Sequence, residues 1–190
     1  MQRIGWQGSA LLMVMAACSA DTGSHSDAVS GANGAAATRR TRLAGYENLV
    51  FGMTERTIND EERVLSAQRW DEDHRVELKL EKQAMIDGED YLITLVVIED
   101  KFVEVRLSRG SEIDAAQCKA VFERLLQSFE AQFGAADQRR YDPARELSIA
   151  SFRFEGGGAV QVATLAQTFT LSSHCGQVVF YQARVSDEGL

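Results

Sequence analysis

The chain has 190 residues, 45% of them hydrophobic and 25% charged. These proportions are those of an ordinary globular protein and exclude collagen-like, coiled-coil and wholly disordered chains. The net charge of -8 is unevenly spread: residues 1–42 carry four Arg against Asp21 and Asp27, a balance of +2, which leaves -10 on the rest. A body so acidic repels phosphate backbones, so no nucleic-acid partner is expected.

Arg3 and the apolar stretch Ala10-Leu11-Leu12-Met13-Val14-Met15-Ala16-Ala17 open the chain. The stretch is far shorter than the ~20 apolar residues that span a bilayer, and a basic start, a short apolar run and small residues make an export signal. Met15-Ala16-Ala17-Cys18 resembles the lipobox of bacterial lipoproteins, in which a hydrophobic residue and two small ones precede a Cys. The resemblance covers these four residues and the signal before them. It implies that residues 1–17 are removed and that Cys18 becomes the lipidated first residue, held stably by several acyl chains. Ser19 rather than Asp after the Cys implies the outer membrane, with the protein facing the periplasm. The competing reading is a secreted chain cut by the general signal peptidase, for instance after Cys18-Ser19-Ala20. Lipidation of Cys18 also resolves an odd count of three Cys, because Cys118 and Cys175 remain as a pair.

Residues 18–42 read as a flexible tether. Thirteen of the twenty residues from Ser19 to Thr38 are Ala, Ser or Gly, too few apolar groups to offset the entropy of ordering them. Random-coil scaling gives that stretch an end-to-end distance of ~25 Å. Arg39-Arg40-Thr41-Arg42 closes it as a solvated basic cluster, with contact to anionic headgroups as the alternative.

Residues 43–190 read as one domain. Thr54 is placed to cap a short helix reaching Leu65. Val76, Leu78 and Leu80 alternate with Glu77, Lys79 and Glu81 as a half-buried strand, Asp87-Gly88 marks a turn, and Tyr91–Ile98 is apolar on both faces. Glu99-Asp100-Lys101 then turns the chain into a third strand, Phe102–Leu107. Ser111 and Asp114 form a capping-box signature ahead of Cys118, Val121, Phe122, Leu125, Phe129 and Phe133, which recur at helical spacing up to Gly134. A polar loop around Pro143, a hairpin of Leu147–Phe154 and Ala159–Leu165 about Gly156-Gly157-Gly158, and a last strand Val178–Val185 complete the pattern. The predicted fold is α+β: an antiparallel sheet of about six strands in βββ-α-βββ order, with one long helix on one face.

Chemistry is harder to find. His25 lies in the tether, and His74 and His174 share no metal-ligand spacing. Asp71-Glu72-Asp73 lacks the alternating ligands and Gly of a calcium loop and reads as a solvated acidic turn. His174 and Cys175 are neighbours in extended chain and point to opposite sides, so the imidazole is badly placed to activate the thiol. Ser172-Ser173-His174 has no strained nucleophile turn, and Gly156-Gly157-Gly158 joins two strands rather than cradling a phosphate. No catalytic constellation and no cofactor are therefore expected. In an oxidising periplasm, Cys118 and Cys175 are expected to form a disulfide that staples the helix to the turn before the last strand. Together these readings describe a non-catalytic binding module on the outer membrane, with an envelope protein as its partner. The alternative is an inhibitor or immunity lipoprotein against a basic envelope-targeting hydrolase, steered by its acidic body; a periplasmic enzyme ranks third.

Overall fold

The computed structural model describes residues 40–168 and 172–183. The leader, Cys18, His25 and the tether through residue 39 lie outside the described residues.

Two short strands, β1 (Gly45–Tyr46) and β2 (Leu49–Val50), form a hairpin ahead of helix α1 (Glu55–Glu61). Four long strands follow: β3 (Val64–Trp70), β4 (Arg75–Ile86), β5 (Glu89–Ile98) and β6 (Lys101–Ser111). Helix α2 (Ala115–Phe133) then leads to β7 (Gln138–Asp142), β8 (Leu147–Arg153), β9 (Ala159–Thr168) and β10 (Ser173–Gln182). The eight strands β3–β10 make one sheet in the order β3-β4-β5-β6-β10-β9-β8-β7, antiparallel throughout.

The α+β class holds, but the sheet has eight strands rather than about six, and the long helix sits between two groups of four. Both additional strands are at the sheet's edges. β7 reads Gln-Arg-Arg-Tyr-Asp and offers no apolar alternation, because an edge strand pairs on one side only; β3 is likewise mostly exposed. Thr54 does cap α1, its side chain accepting from the Thr57 amide, but the helix ends at Glu61 and Leu65 belongs to β3. The capping box of α2 is Asp114 with Gln117, whereas Ser111 ends β6 opposite Cys175. The last strand begins at Ser173, so Cys175 sits within it, not in a preceding turn.

Turn chemistry explains the meander. Asp87 and Gly88 have φ of 53° and 77°, the two positive values that a two-residue hairpin turn requires. Glu99 and Asp100 do the same without glycine, at 50° and 60°; the Asp100 carboxylate accepts from the Glu55 amide at 3.0 Å, tying that turn to α1.

One face of the sheet carries the core. Cross-strand pairing puts Val76, Leu78, Ile93, Leu95, Val105, Leu107, Val162 and Val179 on this face, and all are buried. Helix α2 lies across β8, β9 and β10 and buries Phe122, Leu125, Leu126 and Phe129, each contributing about 1.5–3 kcal/mol by leaving water. Leu49 of the hairpin and Ile58 of α1 join the same core, and Phe51 stacks on Phe102 with ring centroids 5.0 Å apart.

Arg40 corrects the reading of the basic cluster as wholly solvated. Its side chain is buried: Nε donates to the Phe133 carbonyl at 2.6 Å, the terminal nitrogens reach Asp137 and the carbonyls of Ala135 and Arg153, and the guanidinium lies over the Phe152 ring.

Candidate interaction surface

Because side chains alternate across a strand, the residues between the core positions point to the opposite face. Among the described residues, α1, α2 and the hairpin pack against the core face. The second face includes Val178 and Phe180 on β10, Ala163 and Leu165 on β9, Leu147 and Ile149 on β8, and Leu92 on β5; of these Val178, Phe180, Ala163 and Leu147 are buried. Leu92 is 55% exposed, and Met85, two places along the same face of β4, is 75% exposed.

Charged side chains cross this surface as one connected group. Glu77 on β4 accepts from Arg75 and, at 3.2 Å, from Arg106 on β6. Arg106 also donates to Glu104 at 2.9 Å, and Glu104 accepts from Gln182 Nε2 on β10 at 2.7 Å. Glu104 is buried although charged, and the Nε atoms of Arg75 and Arg106 are buried without a hydrogen-bond partner. The Arg106 guanidinium covers the Phe180 ring at 5.6 Å, and Arg75 covers Trp70 at 5.3 Å. Two Arg and two Glu cancel, so the patch is polar and hydrogen-bonding but has no net charge.

At the β5–β6 turn end of the sheet, a cavity of about 250 Å³ is lined by Glu55, Arg69, Trp70, Asp71, His74 and Asp100, among others. Arg69 grips Glu55 through two bonds of 2.6 and 2.8 Å, and this hydrogen bonding holds the Glu55 carboxyl below the ordinary carboxylate range. His74 thus lies beside part of the acidic turn. Among the described residues, no cluster of three or more His, Cys, Asp or Glu could hold a metal ion.

The other sequence candidates are placed as follows. Cys118 and Cys175 are joined in a disulfide, Cα atoms 5.5 Å apart, linking α2 to β10. Cys175 faces the helix, and His174, on the other side of the strand, meets the Ser172 hydroxyl at 3.2 Å from Nε2. Gly156–Gly158 form the turn between β8 and β9. The Arg–Glu network escaped sequence reasoning, although Arg75, Glu77, Glu104 and Arg106 sit at outward positions of strands otherwise rich in apolar residues. No family model, curated protein or solved structure matches the chain.

Proposed function

We propose that this chain is an outer-membrane lipoprotein, anchored through Cys18 and facing the periplasm, whose folded body is a non-catalytic module that binds an envelope protein through the second face of its sheet. The observation that carries the binding reading is that face itself: exposed Leu92 and Met85 and a neutral, partly buried Arg–Glu network, on the side of the sheet away from α1, α2 and the hairpin. Exposed apolar groups beside polar groups with bonding capacity left over are what a protein interface offers. The lipobox-like Met15-Ala16-Ala17-Cys18 supports the anchor. The Cys118–Cys175 disulfide supports an oxidising compartment.

Two measurements test this. Palmitate labelling of the parent and of Cys18→Ala should give label only in the parent; equal label in both removes the anchor. A photo-crosslinking residue placed at Leu92 should capture an envelope protein in intact cells, whereas one at Glu123, on the exposed side of α2, should not. Capture from Glu123 alone assigns the partner to the helical layer and ends the proposal for the sheet.

A further inference from the structure

The core-facing side of the sheet is mostly apolar; Ser148, Thr164 and Gln177 are buried polar exceptions on it, and Gln177 borders a cavity. Helix α2 covers β8–β10, while α1 and the β1–β2 hairpin pack at the β5–β6 turn end. Between α2 and the opposite ends of β4–β6 lies a cavity of about 190 Å³. Its floor is a polar chain. The Tyr91 hydroxyl donates to Gln177 Oε1 at 2.5 Å, and Gln177 Nε2 donates to Ser111 Oγ at 3.0 Å. Gln177 is only 3% exposed, an expensive place for an amide unless its bonding capacity is used. With these two bonds made, the second amide hydrogen of Gln177 and the hydroxyl hydrogen of Ser111 remain as donors. Burial pushes the Tyr91 phenol up to about 12, so it stays protonated and keeps its bond to Gln177.

Arginines and acids share the rim. Arg109 is paired with Glu89, and Asp87 accepts from the Ser128 hydroxyl at 2.6 Å. Arg124, exposed on α2, has no ion pair among the described residues, so its guanidinium is available to an anion. Two Arg and two acids leave the rim without net charge, so a bound anion relies on local pairing with Arg124 and a dianion is disfavoured. The remaining wall is aliphatic: Ile113, Val121 and Leu125.

We propose that this cleft binds a small aliphatic monocarboxylate. Its carboxylate accepts from Arg124 and from the Ser111 and Gln177 donors, and its chain lies against Ile113, Val121 and Leu125. Taking ~30 Å³ per water-sized group, the cavity holds about six non-hydrogen atoms, the size of butyrate, and the end of a hexanoate chain would reach its open mouth. The cleft is on the opposite side of the sheet from the proposed protein-binding surface and stands independently of it.

The test is a titration of the full-length, oxidised protein followed by NMR of the Gln177 side-chain amide and the Arg124 Nε–H. Butyrate and hexanoate should shift both signals saturably, whereas hexanol and inorganic phosphate should not. Arg124→Ala, at an exposed helix position where the fold does not depend on it, should weaken hexanoate about tenfold by removing a charge-assisted contact. Ser111→Ala should also weaken it. An equal response to hexanol would reduce the cleft to an apolar pocket, an equal response to phosphate would reduce it to a basic patch, and either result overturns the proposal. So does an unchanged affinity in Arg124→Ala, or the absence of saturable shifts.

Discussion

The last turn of α2 contains no basic residue, and the cation that its carbonyl end favours arrives from Arg40. Its bonds to the Phe133, Ala135 and Arg153 carbonyls and to Asp137 join the end of the helix to the end of β8. Arg40→Ala removes the donor from the half-buried Phe133 carbonyl and from three more exposed acceptors and should cost about 1–3 kcal/mol in urea unfolding. Arg40→Lys should recover little of it, because a single ammonium cannot span the fork; an Ala variant as stable as the parent would deny Arg40 this role. Glu55 makes a pH-dependent contribution. The Arg69 hydrogen bond lowers its folded pKa below the ordinary 4.5, so the unfolded chain takes up the proton first. Stability from this pair is fully present above the unfolded value and is lost as pH falls through the folded one. The difference in urea midpoint between the parent and Glu55→Gln should therefore be constant near neutrality and shrink in acid below about pH 4. A gap that widened in acid would contradict the sign.

Helix α2 is fixed to the sheet twice, by its Phe-rich stripe and by the Cys118–Cys175 bond across 57 residues. Closing a loop of that length contributes about 4 kcal/mol in the chain-entropy model. Cys118→Ala/Cys175→Ala should thus lower the melting temperature by about 10–15 °C, while circular dichroism keeps its sheet and helix signature. Unchanged melting would mean that packing alone holds the helix. The same stripe was legible in the sequence, since Cys118, Phe122, Leu125 and Phe129 repeat at helical spacing and all are buried. So were β4, β5, β6, β8 and β9, whose apolar alternation or turn residues mark them. The edge strands were not, because β7 pairs on one side only and needs no apolar side chain, and β3 carries a register shift between Val64 and Ser66. The Arg–Glu network was illegible for another reason. Glu77 and Arg106 are 29 residues apart, and nothing local to either says that β5 will lie between their strands.

On the scale of the whole molecule, the sheet divides labour between its faces. One is filled by α1, α2 and the hairpin, and the other presents a charge-neutral surface. A partner seated on the neutral face gains little from long-range attraction, whatever the -10 carried beyond residue 42. Its association rate should change by less than about twofold between low and physiological salt. A steep loss of rate would favour the acidic inhibitor reading and move the contact elsewhere. Arg40 has a mechanical meaning as well. Within the described residues, a pull on the amino end meets this guanidinium early, and it shares the load between the end of α2 and β8, next to the sheet's edge. Were it missing, the force would fall on the single backbone bond from Glu155 to the Arg40 carbonyl and then on the two-residue ladder of Gly45–Tyr46 with Leu49–Val50, which can open like a zip, one rung after another. A clasp of this kind makes the first yielding step of the amino end a cooperative one.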